Sequence, residues 1–71
     1  IIVLIKPQFE SEKHETKKGV VRDPKIHLRI CNEIKKWFEY ECNCLVQNVI
    51  QSPIIGPKGN TEFLLTAKYQ K

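Results

Sequence analysis

Ile1-Ile2-Val3-Leu4-Ile5-Lys6-Pro7 is the stretch whose reading decides the fold. Five aliphatic residues without alternation describe a strand covered on both faces, as in a mostly parallel sheet. Lys6 and Pro7 end it, because proline has no N–H to give a ladder. The run is too short to span a bilayer, which takes roughly 20 apolar residues in a helix. No basic segment precedes it and no small-residue cleavage site follows, so it does not read as a secretory signal.

Outward from that strand, Gln8 to Arg22 is polar, rich in Lys and Glu, and contains Gly19. It is expected to be a long loop. Asp23-Pro24 then opens a helix, with Asp23 as N-cap and Pro24 at the first helical position. Ile26, Ile30, Ile34, Trp37 and Phe38 fall on one face of that helix, and Lys25, Arg29, Asn32, Lys36 and Glu39 on the other. The apolar face should cover a sheet. Leu45 to Ile50 reads as a second strand, Ser52 to Asn60 as a Pro/Gly turn region, and Thr61 to Tyr69 as a third strand.

A helix between the first two strands makes them parallel by a right-handed crossover, and the hairpin-type loop after the second makes the third antiparallel. The single helix leaves one apolar sheet face bare. More protein is therefore expected on that face, supplied by a larger domain or by a second copy, with the larger domain favoured.

The 71 residues allow one domain, and a net charge of +4 tilts mildly toward an anionic partner. Three cysteines, Cys31, Cys42 and Cys44, cannot all pair within one molecule, which suggests reduced thiols and a cytoplasmic protein. With His27 they match no standard zinc-ligand spacing, so no metal is expected. Trp37 and Phe38 are expected to be sheet-facing residues, not a base-stacking platform.

Strand direction gathers the chemistry. Lys6, the Ser52–Asn60 loop and Glu62 should meet at the carboxyl edge of the parallel strands, where open α/β sheets bind ligands. A lysine tuned by its neighbours can act as a general base. Taken alone, Lys6 reads better as a strand terminator and Glu62 as a solvated residue. Lys13, Lys17, Lys18 and Arg22 on the long loop, with Lys58 in the second, can hold RNA phosphates, although Glu10, Glu12 and Glu15 offset much of their charge.

Four segments in order carry a resemblance: Ile5-Lys6-Pro7-Gln8-Phe9-Glu10; Lys18-Gly19-Val20-Val21-Arg22-Asp23-Pro24 with His27; Ser52-Pro53-Ile54; and Gly56-Pro57-Lys58-Gly59-Asn60-Thr61-Glu62-Phe63-Leu64. Together they resemble the C-terminal part of the hemolysin A family of FtsJ-like RNA methyltransferases. The resemblance implies an α/β fold: the last β-α-β-β portion of a Rossmann-like sheet that binds S-adenosylmethionine, its antiparallel final strand inserted between the other two. It implies methyl transfer to a ribose 2′-hydroxyl of ribosomal RNA, usually on cytidine, by a Lys-Asp-Lys-Glu tetrad. Lys6 matches the second lysine, which helps deprotonate the hydroxyl, and Glu62 matches the glutamate that supports it.

The first lysine, the aspartate, the glycine-rich cofactor loop and an S4-like RNA-binding domain have no counterpart here. The segment alone is therefore expected to be inactive. Cys42-Asn43-Cys44 and Asn48 depart from the family pattern at packing positions. The alternatives are a non-catalytic RNA-binding module and, ranked lower, a membrane-lytic protein.

Overall fold

The computed structural model describes residues 1–70. Its elements are β1 (Ile2–Ile5), the single-turn helix α1 (Pro7–Glu10), a 3-10 turn (Lys13–Glu15), helix α2 (Pro24–Tyr40), β2 (Cys44–Gln51), a turn at Pro57–Gly59, and β3 (Phe63–Tyr69). The last strand lies in the middle of the sheet, in the order β1-β3-β2, and is antiparallel to both neighbours. β1 and β2 therefore point the same way, as expected, but do not touch in the ladder.

α2 begins as its sequence dictates. Asp23 is extended and its side chain accepts the Lys25 N–H at 2.9 Å, with Pro24 in the first turn. Ile30 and Cys31 are buried against Ile5, Cys44, Leu65 and Ala67, and Ile26, Ile34 and Phe38 pack around that cluster. Trp37 departs from the expected face. It is 54% exposed, and its ring meets Phe38 edge-on at 5.0 Å. An indole at the rim of the stripe covers a neighbour and does not enter the sheet contact.

β2 carries a bulge. Val46 pairs with Ala67, but Asn48 pairs with Thr66, so Gln47 is the extra residue. That insertion puts Val46 and Val49, three apart, together in the core. The opposite face is uncovered, as the sequence requires: Ile2, Leu4, Leu45 and Ile50 are exposed on it. Pairing of Leu4 and Ile50 with Leu64 makes these side chains neighbours.

The stretch from Gln8 to Arg22 is not the open loop the sequence suggests. A capping box joins Glu12 and Glu15, and Glu15 takes a fork of hydrogen bonds from Arg29 of α2, one of them 2.8 Å long. Lys17 and Val20 then exchange backbone bonds of 2.9 and 3.0 Å across Lys18-Gly19, both at positive φ, the pattern of a type I′ turn. Val20 and Val21 are buried behind it.

Asn60 fastens this stretch to the second loop. Its side-chain oxygen accepts the Val21 N–H at 3.0 Å, and its amide donates to the carbonyls of Gly19 (2.9 Å) and Pro57 (2.8 Å). His27 Nε2 lies 2.8 Å from the Val21 carbonyl, which requires its hydrogen on that nitrogen.

Both sets of contacts make testable statements. Asn60→Ala leaves two polar groups, the Val21 N–H and the Gly19 carbonyl, without partners, and loss of about 3 kcal/mol is expected. Urea denaturation reads that loss, and the Val21 amide should exchange with solvent faster. The Arg29 hydrogen bonds, aided by the Glu12 N–H, hold the Glu15 carboxyl down at about 2, below its ordinary 4.5. A lowered carboxyl contributes stability fully above pH 4.5 and loses it as pH falls toward 2. Acid titration should therefore show Glu15→Gln less stable than the parent at pH 6, with the gap closing as pH falls through 2.

Candidate functional site

The sheet register builds the site. Ile5 pairs with Phe63, so one further step sets Lys6 opposite Glu62. On the other side Gln51 pairs with Phe63, and the Ser52 N–H donates to the Glu62 carbonyl at 2.8 Å. Glu62 thus sits where all three strands end, as the sequence places it. It is not a solvated residue, for only 5% of it is exposed.

A buried carboxylate must be paired. Gln8 Nε2 donates to Glu62 Oε2 at 2.9 Å, and Lys6 Nζ lies 3.6 Å from the same oxygen. Because the carboxylate only accepts, Gln8 must turn its NH2 toward it, which leaves Gln8 Oε1 buried without a partner. The third wall is Gly56. A Cβ there would stand 2.3 Å from Glu62 Oε2 and 2.6 Å from its carboxyl carbon.

The Lys6–Glu62 separation exceeds hydrogen-bond length. The lysine is steered by the carboxylate but not consumed by it. More than a third of its side chain stays accessible, and its Nζ stands over the Phe9 ring, 5.9 Å from the centroid. The arrangement is a fixed negative group holding a reachable amine, suited to moving a proton from, or lending charge to, a hydroxyl placed above it.

The basic residues are divided. Lys13, Lys17, Lys18, Arg22 and Lys58 are all exposed. Lys17 and Arg22 line one hollow with His14, Glu15 and Asp23. Lys58 lines a different one with Gln8, Phe9, Gly19 and Asn60, and its stem lies across Gly19, where any Cβ would meet its Nζ at 2.9 Å. Cys31 and Cys44 are core residues, and burial pushes the Cys31 thiol up. Among the described residues no cluster of His, Cys, Asp and Glu has the form of a metal site.

Nor does the segment supply a cradle for S-adenosylmethionine. The turn N–H groups of Gly56, Gly59 and Asn60 are all spent on backbone carbonyls within the loop, and Gly56 is packed against Glu62. The backbone of this turn is not free to hold that cofactor.

Known proteins show the same segment. A Bacillus subtilis protein named "Putative rRNA methyltransferase YqxC" is 40% identical over 65 residues, covering 90% of this chain and 23% of its own length. "Hemolysin A" of Brachyspira hyodysenteriae is 42% identical over 65 residues, covering 89% of this chain and 26% of its own. Over about nine tenths of its length the chain is a homologue of these hemolysin A-like proteins. It spans about a quarter of the length of these relatives.

Solved structures of hemolysins, so named, from Streptococcus thermophilus and Lactococcus lactis superpose with TM-scores of 0.89 and 0.86, at 31% and 36% identity. They cover 99% and 93% of this chain, which corresponds to 25% and 31% of theirs. A comparison with protein-family profiles finds no match.

Lys6 and Glu62 were visible in the sequence as site candidates, whereas Gln8 and Gly56 were only letters in the motifs around them. The signal that marks them is their place beside the charged pair: an amide two residues from the lysine, and a glycine six before the glutamate. Gly56→Ala is expected to displace the carboxylate and cost about 1–3 kcal/mol through overpacking. A lower denaturation midpoint, with altered chemical shifts at Glu62 and Gln8, checks this.

Proposed function

We propose that this segment is the C-terminal β-α-β-β portion of a Rossmann-like, S-adenosylmethionine-dependent RNA methyltransferase, and that Lys6 and Glu62 belong to its active centre. One observation carries the reading: a buried glutamate, walled by Gly56 and oriented by Gln8, holds an accessible lysine at the carboxyl edge of β1. The name of the Bacillus relative supports ribosomal RNA as the substrate of the whole protein.

In this reading Lys6 accepts the proton of a ribose 2′-hydroxyl, on cytidine as the family resemblance implies, and Glu62 keeps the amine aimed. A lysine can do so only when neutral, a form favoured by a second nearby cation and by exclusion of water. The other tetrad members, the methyl donor's binding residues and an S4-like domain lie outside these 71 residues, so the segment alone is inactive. The remainder of the methyltransferase domain covers the bare sheet face. Lys13, Lys17, Lys18, Arg22 and Lys58 contact RNA phosphates, which makes binding salt-dependent. The free thiols agree with a cytoplasmic setting. No described helix is long and apolar enough to cross a membrane, which offers nothing to the lytic alternative.

The test follows labelled methyl transfer from S-adenosylmethionine into unmodified ribosomal RNA by the full-length polypeptide. Lys6→Ala should lower turnover by about 10²-fold or more, the usual weight of a proton-transfer group, with RNA affinity nearly unchanged. No transfer by either protein, with RNA still bound, would leave a non-catalytic RNA-binding module.

A further inference from the structure

Phe9 has no place in the reading given so far. It is 73% exposed, on α1, between Gln8 and Glu10. A phenyl ring that open is an oddity in a polar stretch, and α1 is too short to need it for packing. Three neighbours give it a context. Lys6 Nζ stands over the ring. Lys58 and Gln8 share with it a pocket of about 210 Å³, closed by Gly19, Pro57 and Asn60. Gln8 also binds the Glu62 carboxylate, so this pocket shares a wall with the Lys6–Glu62 pair.

The pocket is also built to keep its shape. Lys18-Gly19 and Lys58-Gly59 are each two-residue segments at positive φ, closed by the Val20–Lys17 and Asn60–Pro57 backbone bonds. Buried Asn60 bonds both turns at once, through Gly19 and Pro57. The Lys58 stem is thereby laid along Gly19, beside the ring. An exposed aromatic ring that shares a pocket with a lysine matches one ligand class: a nucleotide in a single strand, with its base on the ring and its phosphate at the ammonium.

We propose that Phe9 and Lys58 form a nucleotide subsite, in which Phe9 stacks a base of single-stranded RNA and Lys58 holds an adjoining phosphate, bringing the strand's ribose over Lys6. This rests on the RNA reading above but not on catalysis. Neither residue takes part in proton transfer. They are binding residues that decide which sugar reaches the amine.

The experiment uses the full-length polypeptide and a short single-stranded RNA carrying 2-aminopurine, whose fluorescence is quenched when the base stacks. With the parent protein, quenching on binding is expected. Phe9→Leu should abolish the quench and weaken binding about tenfold, in line with the usual weight of a base–aromatic stack. Phe9→Trp should restore both, and Lys58→Gln should flatten the salt dependence of binding by about one phosphate contact.

Unchanged quench and affinity in Phe9→Leu would overturn the proposal, as would a loss in that variant that Phe9→Trp does not recover. Methyl transfer assayed on the same proteins separates the two readings. Normal transfer with no effect of Phe9→Leu on KM defeats the subsite alone. Absent transfer in the parent, with the quench still dependent on Phe9, defeats the catalytic reading and leaves the subsite standing.

Discussion

A strand in the middle of a sheet must satisfy hydrogen bonds along both of its edges, and here that strand is the last one in the chain. Neither β1 nor β2 has a partner until β3 arrives between them. Leu65, wholly buried at the centre of β3, is where Val3 and Val49 from the two flanking strands meet. The same pairing brings residue 6 opposite residue 62. Site and fold are therefore one event, with no loop rearrangement needed to bring the amine to the carboxylate.

Around that sheet, polar contacts do what a larger core does elsewhere. The segment between α1 and α2 buries only Val20 and Val21, too little apolar surface to order it alone. Val21 has its N–H taken by Asn60 and its carbonyl by His27, while Glu15 is tied to Arg29. Two of these contacts, Asn60 with Val21 and Arg29 with Glu15, join residues far apart in sequence. Removing one partner strands a buried group, so the network is more sensitive to single substitutions than its few apolar contacts suggest.

That origin explains which parts of the molecule were legible beforehand. α2 was readable to the residue at its start, because Asp23-Pro24 is a local signal with a local cause. The three strands, the uncovered face and the meeting of Lys6 with Glu62 followed from apolar runs and strand direction. The middle position of the last strand came from family resemblance and not from the residues themselves. The ordered stretch after Gln8 escaped, because two of its holds are side chains distant in sequence, Arg29 and Asn60. The bulge at Gln47 escaped too, since spacing shows which residues are apolar but not where a ladder skips. Trp37 was assigned to the core by its spacing on α2. Its position at the rim depends on how far the sheet extends beneath the helix, which no helical period contains.

The bare face of the sheet bears on the chemistry as well as on folding. Ile2 and Leu4 alternate onto it, and Lys6, still extended in its backbone, is the next residue in that alternation. Any cover over Ile2, Leu4, Leu45 and Ile50 would therefore end beside the amine. Burial of such aliphatic side chains stabilises by about 1.5–3 kcal/mol each when complete, so the cover is driven by the hydrophobic effect and needs no charge of its own. Under the proposed reading such a cover excludes water from one side of Lys6 while the Glu62 carboxylate holds the amine from the other. The bare face and the candidate site are then parts of one surface, and what closes the first also walls the second.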